Sequence, residues 1–203
     1  MKRDTDDFTF QIDSQTALYS GFYQMDQLTI THQRFDGQQL TIVRELMNRP
    51  DAVCVLLVDF KTDKAVLVEQ FRCGALDEDN PWLVELVAGL IDKDEAPEEV
   101  ARREAAEEAG VEIGRMEFIN RYLPSPGGSN ERIFLYVGEV DSNKAAGIHG
   151  LEEEGEDIRV LTPTLGEAYE WSKNGQINNA AALIALHWLQ LNEGRLRQQW
   201  HRA

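Results

Sequence analysis

The stretch GLIDKDEAPEEVARREAAEEAG, residues 89–110, contains the features that decide the fold of this chain. Pro97 fits the first turn of a helix because its fixed φ angle matches helical geometry. Gly110 is a typical residue just past a helix C-terminus, and we therefore expect one helix between these two positions. Three carboxylates fall within an arc of about 100° on this helix: Glu104, Glu107 and Glu108.

Like charges four residues apart on a helix repel each other, so this acidic arc needs compensation. One interpretation is a solvated helix face supported by Arg102 and Arg103. The other is a site for Mg²⁺ or Mn²⁺, because such hard cations prefer clustered carboxylate oxygens. Small residues on the adjoining face would let the helix approach a sheet closely: Ala101, Ala105 and Ala109.

The composition of the whole chain limits both its size class and its partners. With 203 residues, 42% of them hydrophobic, it can form one good core, or a core plus a small appendage. The formal charge of −16 argues against nucleic acid or an anionic membrane surface as a partner. A small anionic substrate would need metal ions or a few well-placed arginines to bind.

Targeting and redox signals are few in this sequence. We expect no transmembrane segment, because no apolar run approaches the length that spans a bilayer. The first residues, MKRDTDDFTF, lack the apolar segment of a signal peptide. Cys54 and Cys73 are too isolated for a zinc site, so we expect reduced thiols and a cytoplasmic location.

Strand-like segments dominate the first half of the chain and return after the helix. They are FTFQID (8–13), LTITHQRF (28–35), QQLTIVREL (38–46), AVCVLLVDF (52–60), AVLVEQFR (65–72), RMEFINRYL (115–123), RIFLYVGEV (132–140) and IRVLTP (158–163). Segment 52–60 is nearly all apolar, which is typical of a central strand, and KTDK after it predicts a hairpin turn.

Two further helices are predicted near the C-terminus. Thr164 and Glu167 form a capping box that begins one helix, and Gly175 ends it. The last helix is expected from about Asn179 to Asn192. This order predicts an α+β fold, an α/β/α sandwich around a mixed sheet. We expect residues 1–48 to be a small antiparallel β appendage and residues 49–203 to be the main domain.

The spacing of seven residues in the opening stretch matches a known box. They are Gly89, Glu95, Arg103, Glu104, Glu107, Glu108 and Gly110. In these residues the chain resembles the Nudix hydrolases, which cleave nucleoside diphosphates linked to another group. The resemblance implies a Nudix-like domain over residues 49–203, and we expect Arg103 to orient a carboxylate of the box.

Outside the box the chain resembles the bacterial ADP-ribose pyrophosphatases over nearly its full length. The matching segments are LYSGF (18–22), VEQFR (68–72), PWLVELVAG (81–89), SPGGSNER (125–132), GIHGLEEEGEDIRV (147–160) and INNAAALIALHWLQL (177–191). Pro126 lies about fifteen positions past the box, where a proline marks this subfamily. The resemblance implies Mg²⁺-dependent hydrolysis of ADP-ribose to AMP and ribose 5-phosphate, with Mn²⁺ as a possible substitute.

The same resemblance implies roles for individual residues. The metal ligands would be the carbonyl of Ala88 with Glu104 and Glu108, joined by Glu156 when substrate is present. Glu154 matches the general base, and the register of that base stays open among Glu152, Glu153 and Glu154. From the residues alone, the loop LEEEGED (151–157) would read as a solvated acidic run.

Four residues match substrate contacts in that subfamily: Phe22 on the adenine, Arg44 and Arg72 on the phosphates, and Glu131 on the terminal ribose. The planar donor fork of arginine suits phosphate, although both arginines could equally form surface ion pairs. Phe22 could equally be a core residue. The resemblance also implies a homodimer with exchanged N-terminal strands, which would explain why residues 1–48 look too small to fold alone.

Two other functions stay open at this point. The chain could act on GDP-mannose or ADP-glucose instead of ADP-ribose. It could also be a catalytically inactive module that senses ADP-ribose, although the complete set of carboxylates and the lack of a basic DNA-binding segment oppose this.

Overall fold

The structure, a computed structural model, describes residues 7–91 and 95–201, without the side chain of Glu154. The strands over these residues are β1 (Phe10–Ser20), β2 (Gln24–Gln33), β3 (Gln39–Asn48), β4 (Ala52–Asp59), β5 (Lys64–Phe71), β6 (Trp82–Glu85), β7 (Val87–Leu90), β8 (Met116–Tyr122), β9 (Ile133–Glu139), β10 (Ile148–His149) and β11 (Ile158–Leu161). The α-helices are α1 (Pro97–Ala109), α2 (Leu165–Asn174) and α3 (Ala180–His201). A short 3₁₀ helix covers Glu152–Glu154.

The chain divides into two compact units. The N-terminal unit comprises the chain up to Pro50 together with the segment Leu123–Glu131, and the second unit comprises Asp51–Tyr122 and the chain from Arg132. The division into domains 1–48 and 49–203 stays a prediction.

The N-terminal unit contains the predicted antiparallel sheet, with strand order β1–β2–β3. Its strands bury little: β1 is exposed along its whole length, and Leu28 and Asp26 are the buried residues of β2. The Asp26 carboxylate accepts hydrogen bonds from Gln15, Gln24 and Asn48, which ties the three strands together. The sheet is therefore held mainly by its backbone ladder and this polar cluster.

The second unit is built on a mixed eight-stranded sheet. The path across the sheet is β10–β11–β5–β4–β9–β8, while β6 pairs with β5 and β7 pairs with β4. Strands β4 and β9 run parallel, and every other pair is antiparallel. The turn between β4 and β5 is the hairpin predicted from KTDK, and Asp63 adopts a positive φ of 59° there.

Strand β4 shows why both faces of this sheet must be covered. All of its residues are buried, and alternate side chains enter different cores. Cys54, Leu56 and Val58 pack with residues of α2 and α3, whereas Val55 and Leu57 pack with residues of α1. The sheet therefore lies between helical layers, and the predicted α/β/α arrangement is confirmed.

Helix α1 has the predicted limits. Pro97 occupies its first turn, and Gly110 ends it with a left-handed φ of 66°. The amide of Gly110 donates to the Ala106 carbonyl, and that of Val111 donates to the Ala105 carbonyl, which closes the helix end. The three alanines of its inner face are fully buried, as their small size requires for close contact with the sheet.

The C-terminal helix is longer than predicted. It starts at Ala180, close to the expected start, and continues through Gly194 to His201 instead of ending near Asn192. Trp200 packs against Phe60 with ring centroids 5.5 Å apart, and Arg197 donates to the Phe60 carbonyl. These contacts with the β4–β5 turn stabilise the last turns, and they outweigh the local preference of Gly194 to end a helix.

Strand β1 also exceeds the predicted segment 8–13, and β10 was not predicted. Pairing with β2 extends β1 to Ser20, with register shifts after Ile12 and after Ala17 that disrupt any simple alternation. In the described part of the chain, none of the helices has the length and apolarity needed to cross a membrane.

Candidate active site

The box begins where β7 passes under α1. A side chain at Gly89 would place its Cβ against the Glu104 carboxylate. A larger residue at this position would therefore displace that carboxylate.

Arg103 lies at the centre of a carboxylate cluster on the same helix. Its Nη1 donates to Glu104 at 2.8 Å and to Glu107 at 2.9 Å. Its Nε and Nη2 donate to the two oxygens of Glu95 at 3.2 and 3.3 Å. The hydrogen bonds to Glu95, with the charge of Glu104, hold the pKa of Arg103 above its ordinary value. The guanidinium orients the box carboxylates.

Glu108 is the most buried carboxylate of the box, with 3% of its surface exposed. Burial raises its pKa to about 8, and the charges of Glu104 and Glu156 add to this rise. The backbone N–H of Ala88 donates to Glu108 Oε2 at 3.0 Å and opposes the shift, as does the charge of Arg72. The negative charge of ionised Glu108 is therefore only partly compensated by its neighbours.

Glu104 shows the same imbalance. Burial raises its pKa to about 7, while the contact with Arg103 lowers it and the charges of Glu107 and Glu156 raise it further. The repulsion expected from the acidic arc is therefore present in the folded protein. A cation beside Glu104 and Glu108 would relieve it.

The Ala88 carbonyl faces the same side as these carboxylates. Ala88 lies opposite Cys54 in the β4–β7 pair, but its N–H donates to Glu108 on α1. Since the N–H and C=O of one strand residue point to the same side, the carbonyl of Ala88 also faces away from β4. It adds a neutral oxygen next to two carboxylates.

This donor set fits a divalent metal ion. Mg²⁺ and Mn²⁺ prefer carboxylate and carbonyl oxygens, and both carboxylates here, half-buried Glu104 and buried Glu108, lack full charge compensation. Among the described side chains, no three acidic, histidine or cysteine groups are already gathered around one point. The reason is visible in the hydrogen bonds, because Glu104 turns to Arg103 and Glu108 turns to the Ala88 amide.

The acidic loop places Glu156 within electrostatic reach of the helix, since its charge raises the pKa of Glu104 and Glu108. Its own Oε2 accepts a hydrogen bond from the Leu151 N–H at 3.1 Å, across the short 3₁₀ helix. The predicted base, the side chain of Glu154, lies outside the described part of the structure, and its role stays a prediction.

Arg72 is the predicted phosphate contact in this unit. It follows β5, and its Nε donates to Glu85 Oε2 at 2.8 Å. Burial raises the pKa of Glu85, and the charge of Arg72 opposes that rise. The charge of Arg72 also lowers the pKa of Glu108, as the smallest of the effects on that carboxyl group.

The other three predicted substrate contacts belong to the N-terminal unit. Phe22 is 82% exposed and stacks edge-on against Tyr23, so it is not a core residue. Arg44 is exposed and donates to the Val43 carbonyl at 2.8 Å. Glu131 is buried and forms an ion pair with Arg49 at 3.2 Å. Their roles toward substrate stay predictions.

Sequence reasoning alone does not identify two polar residues on the face of the sheet that packs against α1. Glu85 looks like one polar residue in an apolar segment, and Gln70 looks like part of a strand. Gln70 is 6% exposed, and its Nε2 makes no hydrogen bond within the described chain. Only the register of β5 against β6 could have shown that these side chains lie on the face of the sheet that carries the site.

Known proteins resemble this chain in sequence and in fold. The NUDIX domain family matches residues 47–194. ADP-ribose pyrophosphatase of Escherichia coli K12 is 45% identical over 94% of this chain and 92% of its own length. ADP-ribose pyrophosphatase of Haemophilus influenzae is 44% identical over 95% of this chain and 91% of its own length.

Two further matches extend the comparison. GDP-mannose pyrophosphatase of Shigella flexneri is 33% identical over 86% of this chain and 92% of its own length. A crystal structure described as an ADP compounds hydrolase has the same fold, with a TM-score of 0.65 at 18% identity, covering 91% of this chain and 97% of that one. With the complete box on α1 and β7, these matches show that the chain belongs to the Nudix family.

Proposed function

We propose that this protein hydrolyses the diphosphate of ADP-ribose to AMP and ribose 5-phosphate in a Mg²⁺-dependent reaction. The observation that carries the proposal is the pair of box carboxylates, half-buried Glu104 and buried Glu108, whose charge the protein compensates only in part. The choice of ADP-ribose rests on relatives named ADP-ribose pyrophosphatase, which match 94% of the chain at 45% identity.

The metal would be held by Glu104, Glu108 and the Ala88 carbonyl, with Glu156 as a further ligand when substrate is present. Mn²⁺ has the same preference for oxygen ligands and could replace Mg²⁺. When bound, the ion supplies positive charge that polarises the diphosphate and makes a nearby water more acidic.

The side chains of the protein carry out the remaining tasks. Arg72, with Arg44, would donate hydrogen bonds to the phosphate oxygens and hold the diphosphate in line for attack. Glu154 would accept the proton of the attacking water, with Glu152 and Glu153 as the alternatives in the same loop. Arg103 would keep the carboxylates of the box oriented through the contacts that it makes to Glu104 and Glu107.

The N-terminal unit would supply the contacts that select the substrate. Phe22 exposes an aromatic ring of the kind that stacks on adenine, and Glu131 offers a carboxylate for hydroxyl groups of the terminal ribose. These roles follow the resemblance to the ADP-ribose pyrophosphatases. Replacing Phe22 with alanine tests the first of them through the KM for ADP-ribose.

We also propose a cytoplasmic homodimer whose subunits exchange their N-terminal strands. Several large apolar side chains of the three-stranded sheet are strongly exposed, which is costly for an isolated subunit: Phe10, Ile12, Tyr19 and Val43. Sedimentation equilibrium is expected to give twice the 23.1 kDa mass of one chain. A mass of one chain at micromolar concentration would contradict the dimer.

GDP-mannose or ADP-glucose is the alternative substrate class, and the 33% identity to a GDP-mannose pyrophosphatase is the observation in favour of GDP-mannose. An inactive ADP-ribose-sensing module is the other alternative, which the complete set of box carboxylates opposes. The deciding experiment incubates the purified protein and Mg²⁺ with ADP-ribose, ADP-glucose, GDP-mannose, NADH and 8-oxo-dGTP, and identifies the products. We expect AMP and ribose 5-phosphate from ADP-ribose at the highest kcat/KM.

A higher kcat/KM for GDP-mannose would replace the proposed substrate but keep the hydrolase. No product from any of the compounds, together with a rise in Tm on adding ADP-ribose, would favour the sensing module. The variant E108Q serves as the control for contaminating hydrolases, because it should release no product.

A further inference from the structure

Glu85, at the end of β6, and Arg72, just after β5, form an ion pair. The Arg72 Nε donates to Glu85 Oε2 at 2.8 Å, and the Arg72 backbone N–H donates to the Pro81 carbonyl at 2.9 Å. The start of the side chain and the base of the guanidinium are therefore both fixed. Arg72 is an arginine whose direction is set by its neighbours rather than by solvent.

The strand register shows which face of the sheet carries this contact. Glu85 lies opposite Val68 in the antiparallel β5–β6 pair, so the two side chains share one face. Val68 belongs to the core that packs against α1. The neighbours of Glu85, Val84 and Leu86, belong to the core on the opposite face. Glu85 therefore points to the side of the sheet on which α1 lies.

The two partners differ in their access to solvent. The side chain of Glu85 is 15% exposed, whereas that of Arg72 is 45% exposed. Glu85 engages the Nε atom, and neither Nη atom of Arg72 donates a hydrogen bond within the described part of the chain. The outer edge of the guanidinium thus keeps its donors for an anion.

We propose that Glu85 is a positioning residue that holds Arg72 so that its two Nη groups face the substrate diphosphate. A mobile arginine would have to lose rotamer freedom when it binds phosphate, whereas an arginine already fixed at Nε loses less. This inference rests on the proposed function, because it assumes that the substrate is a nucleoside diphosphate. Glu85 itself touches neither the substrate nor the metal.

A double-mutant cycle tests the inference with the variants E85A, R72A and E85A/R72A of the full chain. We expect E85A to raise the KM for ADP-ribose about tenfold and to change kcat less than about threefold, because a phosphate clamp contributes binding in ground and transition states alike. R72A should raise KM further. The double variant should match R72A within about twofold, since Glu85 acts only through Arg72.

E85Q extends the cycle, because glutamine has nearly the same shape and keeps an oxygen that accepts from Nε without the charge. We expect E85Q to raise KM about threefold, between the wild type and E85A. E85Q replaces E85A in the cycle if the alanine variant does not fold.

E139A is the matched control. The Arg115 Nε donates to Glu139 Oε2 at the same 2.8 Å, in a partly exposed pair between the residue before β8 and the end of β9. We expect E139A and E85A to lower Tm by similar amounts, and only E85A to raise KM. An unchanged KM in E85A, or a rise in KM that persists in the R72A background, would overturn the inference.

The wild-type reaction separates this inference from the proposed function. If the wild type prefers another nucleotide sugar, the choice of ADP-ribose fails, and the cycle run on the preferred compound still decides the role of Glu85. If no compound is hydrolysed, the Kd for ADP-ribose from calorimetry replaces KM in the same cycle, with the same expected coupling.

Discussion

Gly89 acts through the space that its missing side chain leaves. The Glu104 carboxylate lies where a Cβ would be. The glycine thus makes room for this carboxylate, in contrast to Gly110, which is needed for its left-handed φ.

The variant G89A is expected to displace the Glu104 side chain and to lower kcat/KM for the diphosphate substrate by about a hundredfold. The free energy of unfolding should change little, because a flexible side chain can move away. Steady-state kinetics and thermal unfolding measure the two effects. G194A is the matched control, since Gly194 lies in α3 with no atom near its Cβ position.

G194A should leave the kinetics unchanged and stabilise the protein by about 0.5–1 kcal/mol, because alanine favours a helix interior over glycine. Wild-type kinetics in G89A would show that the position of Glu104 is not needed for activity.

The Glu108 side chain is deeply buried, and its ionised form needs a positively charged partner. Burial raises the pKa of this carboxyl group to about 8, which favours its neutral form in the metal-free protein. Glutamine resembles that neutral form. We therefore expect E108Q to keep the metal-free Tm of the wild type, to lose the rise in Tm caused by Mg²⁺, and to lower kcat by about a thousandfold or more.

The control for this variant is E112Q, because Glu112 is an exposed carboxylate just beyond α1. E112Q should retain wild-type kcat and the full response to Mg²⁺. A kcat of E108Q within tenfold of the wild type would contradict the assignment of Glu108 as a metal ligand.

The packing of helix α1 affects the position of the site, because the helix that carries the carboxylates also buries a stripe of alanines. Ala105 is fully buried against the sheet, whereas Ala106, one residue later, is exposed. The distance between α1 and β7 is therefore set by the smallest side chains that a helix can use. Any larger residue in the stripe must move the carboxylates away from Gly89.

A105L is expected to destabilise the protein by about 1–3 kcal/mol through overpacking, which lowers Tm by a few degrees or more for a chain of this size. Its kcat should also fall, because the helix shifts. A106L provides the comparison and should change stability by less than about 0.5 kcal/mol. Equal effects of the two leucines on Tm and kcat would refute this account of the packing.

At the scale of the whole molecule, the net charge of −16 reflects an excess of carboxyl groups, and the stability of the protein therefore depends on pH through these groups. Burial raises the pKa of Glu104 to about 7 and that of Glu108 to about 8, from an unfolded value of 4.5. Between pH 4.5 and these raised pKa values, the folded protein holds more protons than the unfolded chain. The free energy of unfolding therefore falls as the pH rises through this range. Below pH 4.5 this contribution is fully present, and above pH 8 it is lost.

If Mg²⁺ binds the deprotonated carboxylates as proposed, its stabilising effect should grow over the same range. We expect the difference in Tm between Mg²⁺ and chelator to be at least about 3 °C larger at pH 8.5 than at pH 6. The double variant E104Q/E108Q should show no such dependence on pH. A difference in Tm that is constant with pH in the wild type would contradict the raised pKa values.

Local signals in the sequence by themselves determined much of this protein. The limits of α1 at Pro97 and Gly110, the capping box at Thr164 and the buried strand β4 were all predicted, and the structure confirms them. Each depends on residues close together in the chain, where backbone preference and hydrophobic pattern act directly. The seven residues of the box also lie close together in the chain, and they were sufficient to indicate the family.

Only the tertiary structure decided how distant segments meet. The parallel pairing of β4 with β9, the extension of α3 to His201 and the contact of Glu85 with Arg72 depend on the register between strands or on packing across the core. No local preference specifies these contacts, because their energy appears only when both segments are in place. The same reason explains why the acidic arc could be read from the sequence, while the burial that shifts its pKa values could not.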